Sequence, residues 1–172
     1  MGTTYTENGF TVSQVGSQLR PFAVFMTQDS RYPGSTALFN NTIGGLSRLT
    51  QVGGGAFNLL SIDLTSLTTN QTVAVSFTGT RSDNSTIAQS FTTDARLSTL
   101  ETFSFTNFTN LVSVDWTQDD PFHQFDNINV SAASATAVPE PFTILGTLFG
   151  TGSGVTLKRK LAKAQADKRS ID

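Results

Sequence analysis

Apolar side chains recur at every second position over short stretches of this chain, the period of a strand whose two faces meet different surroundings. Val73, Val75 and Phe77 alternate with Ala74, Ser76 and Thr78. Residues 79–85, with Asp83-Asn84 at the centre, suit a hairpin turn, and Ile87, Gln89 and Phe91 carry the alternation onward. Residues 10–15 alternate in the same way, and residues 21–26 form a dense apolar run. Ala37, Leu38 and Phe39 predict a short strand, as do residues 46–52. Residues 56–64 hold Phe57, Leu59, Leu60, Ile62 and Leu64 on both faces, which predicts cover on both sides. Leu100, Phe103 and Phe105 mark the next strand. Val112, Val114 and Trp116 then set one apolar face against Ser113, Asp115 and Thr117, and residues 122–130 close the series. Turn chemistry separates these stretches: residues 28–36 with Asp29, Pro33 and Gly34, then Asn40-Asn41 with Gly44-Gly45, then Gly53-Gly54-Gly55, and a corner at residues 107–110.

Nine or ten short strands at even spacing, with no helical period before Thr143 and no internal repeat, predict an all-β fold. The expected architecture is an antiparallel, jelly-roll-like β-sandwich over residues 1–130. Residues 131–137 contain only Ser, Ala and Thr and read as a linker. Beyond it the pattern changes character. Pro139 and Pro141 stiffen a Val138-Pro139-Glu140-Pro141 connector. Residues 142–157 carry no charge, and Lys158, Arg159 and Lys160 follow directly. That order predicts one short C-terminal membrane helix over 142–157, with the basic cluster as its cytoplasmic stop and a basic tail over 161–172. Such a helix would span about 24 Å at 1.5 Å per residue. The hydrocarbon core measures ~30 Å, so the segment, with its four glycines, suits a temporary anchor better than a permanent one.

Charge sharpens the division. Before Val138 there are ten acidic side chains, five arginines and no lysine, whereas all the lysines lie from Lys158 onward. An acidic body argues against nucleic acid as a partner, and a basic tail behind an apolar stretch argues for membrane topology. The chain has no cysteine, which excludes disulfides and thiolate metal sites. Residues 1–6 have neither a basic n-region nor an apolar h-region. An exported domain is therefore expected to draw its signal from upstream of this start. Met1-Gly2 also meets the loose pattern for N-myristoylation.

Candidate catalytic chemistry is thin. His123 is the single histidine, and no Gly-x-Ser-x-Gly elbow accompanies it. Asp115, Asp119 and Asp120 resemble paired carboxylates, but adjacent acids before Pro121 suit a solvated turn. Trp116 shares the period of Val112 and Val114 and is expected in the core, while Tyr32, in a predicted loop, is the better exposed aromatic for stacking a sugar. Glu7 opens the domain and Asp126 closes it. In a sandwich whose first and last strands adjoin, that pair is a candidate for one structural calcium ion.

Val138-Pro139-Glu140-Pro141, the glycine-rich apolar segment and Lys158-Arg159-Lys160 together resemble the PEP-CTERM sorting signal. The resemblance implies recognition by an exosortase at the membrane, processing near the motif, and delivery to the cell surface or beyond it. The body also looks like that of PEP-CTERM proteins, through residues 57–64 (FNLLSIDL) and 123–128 (HQFDNI). These imply a galactose-binding-like sandwich akin to carbohydrate-binding modules, with extracellular polysaccharide as a partner. In that wider group an acidic pair at start and end can hold calcium, which again favours Glu7 and Asp126. The expected function is that of an exported, non-enzymatic surface or matrix protein, membrane-anchored until it is processed. Its rivals are a glycan-active hydrolase on the same sandwich and a cytoplasmic protein whose tail binds anionic lipid.

Overall fold

The computed structural model describes residues 2–17 and 20–133. The Pro-Glu-Pro motif, the 142–157 segment, the Lys158-Arg159-Lys160 cluster and the tail lie outside the described residues. Among the described residues there is no helix, and eleven strands account for the regular structure. They are β1 (Thr4–Glu7), β2 (Phe10–Val15), β3 (Phe22–Ala23), β4 (Phe39–Asn40), β5 (Gly45–Gln51) and β6 (Phe57–Ser66). Then come β7 (Ala74–Arg81), β8 (Thr86–Thr92), β9 (Glu101–Ser104), β10 (Leu111–Gln118) and β11 (His123–Ala132). The all-β, antiparallel expectation holds: every pairing between strands is antiparallel.

The sheet curls because its pairings run in two arms. One arm is ordered β1-β2-β5-β10-β7-β8 and the other β9-β6-β11, and they join where Leu111 meets Phe57. A separate β3-β4 pair docks on the second arm, where Leu38 and Phe125 exchange two backbone hydrogen bonds of 2.9 and 2.8 Å. The inward faces of the arms share one core. Val12, Leu49, Val75, Phe77 and Val114 come from the first arm, and Phe57, Leu59, Ile62, Leu64 and Phe125 from the second. Phenylalanine dominates the seam: Phe10 meets Phe57 edge-on at 5.4 Å, and Trp116 meets Phe125 at 5.0 Å. Each fully buried side chain of this kind contributes about 1.5–3 kcal/mol relative to exposure.

The two long sides of the fold are finished differently. On the β8–β9 side Phe91 packs tilted against Phe103 and edge-on against Phe105, both at 5.0 Å. There the Gln89 amide donates to the Ser104 carbonyl (3.2 Å) and accepts from the Thr106 N–H (3.0 Å), which latches one arm to the other. On the opposite side, between the β1–β2 hairpin and β11, there is a cavity instead.

Several local readings change. β1 was not expected, since all four of its residues are exposed and show no apolar period. The apolar run over residues 21–26 yields only the two residues of β3. Asn40, expected in a turn, is a buried strand residue whose amide donates to Ser47 Oγ (3.3 Å) and whose carbonyl accepts from Gln14 (2.8 Å). The 56–64 stretch is not covered throughout, because Leu60 is 44 % exposed at a register irregularity between Asn129 and Val130 of its partner β11. The apolar face of β10 is shifted by a bulge between Leu111 and Ser113, so that Leu111 rather than Val112 enters the core. Finally, Ser131 and Ala132 are not linker: they extend β11 against Asn58 and Phe57.

Candidate binding site

The cavity on the open side has a volume of about 540 Å³. Its floor is apolar, formed by Phe10 and Val12 of β2, Leu49 of β5, Leu38, and Phe125 of β11. Its rim is polar and comes mainly from two segments, the β1–β2 hairpin with Tyr5 and Glu7, and the middle of β11 with Asp126, Asn127 and Asn129.

Both segments are placed by residues that tolerate left-handed backbone. Asn8 and Gly9 take φ of +49° and +79° between β1 and β2, the two positive values that a type I′ hairpin requires and that Asn-Gly supplies. Val52 N–H then donates to the Gly9 carbonyl at 2.8 Å, fixing the turn to the end of β5. Gly9→Ala would put a Cβ into a left-handed position, at a cost of about 1–2 kcal/mol. Amide-exchange protection in β1 is expected to fall roughly tenfold; unchanged protection would show that the turn is not made this way. On β11, Asn127 takes φ of +46° at a bulge where Asn127 and Ile128 oppose the single residue Ile62 of β6. Bulges re-aim side chains, and here the rim residues Asp126 and Asn129 flank it.

Hydrogen bonds hold the rim. Tyr5 Oη donates to Glu7 Oε2 at 2.7 Å. Asp126 accepts from the Asn127 N–H at 2.8 Å through Oδ1 and from Ser35 Oγ through Oδ2. Asn127 Nδ2 donates to Asp63 Oδ2 at 2.8 Å, and Asp63 lies opposite Asp126 in the β6–β11 ladder. The hydrogen bond to Glu7 raises the Tyr5 phenol above its ordinary value, assisted by partial burial and by the charges of Glu7 and Asp126. Both carboxylates are thus within electrostatic reach of one hydroxyl. Among the described residues neither has an ion-pair partner, and the cavity lining contains no Lys, Arg or His.

Glu7 and Asp126, paired from sequence, therefore do line one cavity. As carboxylates alone they are fewer than a calcium shell needs. Calcium takes six to eight oxygens, and no third His, Cys, Asp or Glu joins the pair into a metal-holding group among the described residues.

The other candidates fall elsewhere. Trp116 is 2 % exposed and packed between Phe77 (5.6 Å) and Phe125, as its period indicated. Tyr32 is half-buried, its N–H bonded to the Asp29 carbonyl at 3.0 Å; the exposed aromatic is Tyr5, at 40 %. Asp115 is held by Arg48 through two 2.7 Å hydrogen bonds across β5 and β10. Asp119 and Asp120 are exposed in the turn before Pro121, whose peptide bond is cis.

His123 is enclosed. Its Nδ1 lies 3.2 Å from Gln118 Nε2, and its Nε2 has no partner among the described residues. Burial holds its pKa at about 4, well below the ordinary 6.5, because a charged ring there would lose its water with nothing in exchange. Sequence reasoning missed the buried glutamines of this region. Gln118 and Gln124 are both buried, and the Gln124 amide donates to the Arg31 carbonyl at 2.8 Å. Nothing in the local pattern announces a buried glutamine.

The fold and cavity define an all-β domain with an acidic, aromatic-lined recess on one open side. No family model matches the chain, and no curated protein matches it.

Proposed function

We propose that this is an exported, non-catalytic surface protein whose β-domain binds carbohydrate in the open-side cavity and whose C-terminus is a sorting signal. The cavity carries the binding half of this reading. Small-molecule sites run to ~300–1,000 Å³ with an apolar lining and a few polar groups, and sugars use the same mixture. Their C–H faces lie on aromatic rings such as Tyr5 and Phe10, and their hydroxyls bond to carboxylates and amides such as Glu7, Asp126 and Asn129.

A jelly-roll reading of the fold is supported by the order of pairing. β5-β10-β7-β8 on one arm faces β4-β11-β6-β9 on the other, with the Leu38–Phe125 bridge joining β4 to β11. That is the order two interleaved Greek keys produce. The non-catalytic reading is supported by His123, which is shut in the core beside a glutamine rather than set beside an acid in a cleft. It is supported also by Asp115, whose carboxylate is taken by Arg48.

For sorting, the supporting observation is the sequence order of Val138-Pro139-Glu140-Pro141, the uncharged 142–157 segment and Lys158-Arg159-Lys160. An exosortase would read the motif while the segment rests in the membrane, then release or transfer the domain. Replacing Pro139 and Glu140 together with alanine is expected to leave the domain folded and to abolish processing. Intact-mass measurement of material from an exosortase-positive host checks this, and a normally trimmed C-terminus on the double variant would end the sorting proposal.

A further inference from the structure

We propose that the cavity selects amino sugars carrying a free, protonated amine, in preference to neutral or N-acetylated sugars. This rests on the carbohydrate reading above and narrows it.

The cavity's chemistry is lopsided. Two carboxylates stand on its rim and no basic side chain lines it. In a surface salt bridge such acids meet an arginine, as Asp29, Asp94 and Asp115 do in this domain. Glu7 and Asp126 meet only hydroxyl and amide donors. The domain also sets Asp63 directly across the ladder from Asp126, an arrangement of like charges that is unfavourable by itself. A cation arriving at the rim would give Glu7 and Asp126 the opposite charge they lack.

The cation that fits is organic rather than metallic. Two carboxylates alone supply fewer oxygens than the six to eight of a calcium shell, whereas an ammonium needs only three acceptors in a loose tetrahedral array, and charge-assisted hydrogen bonds are roughly twice as strong as neutral ones. Of the lining rings, half-buried Phe10 in the floor and exposed Tyr5 at the rim are the two a ligand can reach, and such rings attract an ammonium and also stack a pyranose. The remaining rim groups, Thr36, Asn127 and Asn129, can serve ring hydroxyls as donor or acceptor. An N-acetylated sugar has neither the charge nor the proton count for the two carboxylates. A plain hexose leaves them to weaker hydroxyl donors.

The test is calorimetric titration of the full chain, at low salt and neutral pH, with matched oligosaccharides of the gluco and galacto series. Each is taken in three forms: 2-amino, 2-acetamido and 2-hydroxy. The 2-amino form of at least one series is expected to bind tenfold or more tighter than its two counterparts. That advantage should disappear in Glu7→Gln with Asp126→Asn, whose melting temperature verifies the fold. Equal binding of the three forms would overturn the amine selectivity and leave the carbohydrate reading standing. An advantage that survives in the double variant would overturn the placement at this rim. Silence across the whole panel would overturn both the selectivity and the carbohydrate reading.

Discussion

Phe77→Ala is expected to remove about 3–5 kcal/mol of folding stability, the usual cost of deleting a large aromatic from a core that cannot collapse around the gap. Phe77 is fully buried and stands at the junction of several rings: Phe105 at 5.1 Å, Trp116 at 5.6 Å and Phe91 at 6.0 Å. Those neighbours come from three different segments. Trp116 belongs to the next strand of the same arm, Phe91 to the edge strand β8, and Phe105 follows β9 of the other arm. Relaxation by any one of them would break its remaining contacts, so the cavity is expected to persist. Urea denaturation at neutral pH gives the number. A loss below ~1.5 kcal/mol would mean that the ring cluster repacks and that the seam between the arms is softer than its geometry indicates.

Acid should act through His123. Its pKa is about 4 in the folded protein against 6.5 ordinarily, so between those values the unfolded chain binds a proton that the folded protein refuses. Stability is therefore full above pH ~6.5 and falls as pH drops towards 4, at ~1.4 kcal/mol per unit. The whole window is worth about 3 kcal/mol. The acidic groups with lowered values, Asp29 (about 2, through its hydrogen bonds with Arg31) and Asp83 (through Ser85), start from 3.8 and act only at the bottom of this window or beneath it. A comparison of wild type with His123→Gln by denaturation at pH 7 and pH 4.5 isolates the effect. Wild type should lose about 2–3 kcal/mol more than the variant; parallel losses would mean that the ring is not held neutral. Gln118 allows this test, since a glutamine at position 123 can still meet its amide.

These two positions also show how far the fold could be read beforehand. Phe77 lies in β7, where Val75 and Phe77, continuing from Val73 just before the strand, alternate cleanly with exposed residues, and period two alone identifies its inward face. β2 and β8 were legible for the same reason. Alternation fails where the ladder itself is irregular. One extra residue near Leu111 moves the β10 face by one position, and Asn40 is buried because Gln14 and Ser47 satisfy its amide from other strands. Such partners are long-range, and a single strand's sequence does not contain them. β1 was missed because it buries nothing, although Asn8-Gly9 followed by the alternating Phe10 and Val12 was a hairpin signal in plain view.

The candidate site was half legible. Glu7 and Asp126 were paired from their places at the start and end of the domain, and both reach the cavity rim. Its floor was not foreseen, because Phe10, Leu38, Leu49 and Phe125 read simply as core until the β1–β2 hairpin and β11 are seen to leave a gap. The aromatic at the mouth proved to be Tyr5 rather than Tyr32. Loop membership suggested Tyr32, but that segment folds back, with Arg31 lying 3.8 Å over the Phe25 ring, and leaves Tyr32 half-covered.

The path of β11 has a mechanical meaning. Its last residue, Ala132, pairs with Phe57 at the start of β6, and its first, His123, pairs with Ser66 at the end of β6. A pull applied to Ala132 along the axis of β11 would load its hydrogen bonds to β6 in parallel. A strand loaded this way must slide before it detaches, unlike a hairpin peeled open one bond at a time. The edge strand β1 pairs with β2 and not with β11, so it would not share that load directly. The same arrangement keeps the β11 half of the cavity rim on the stressed strand and the Tyr5–Glu7 half on an unstressed one. Tension would be felt first as a shift of one half of the rim against the other.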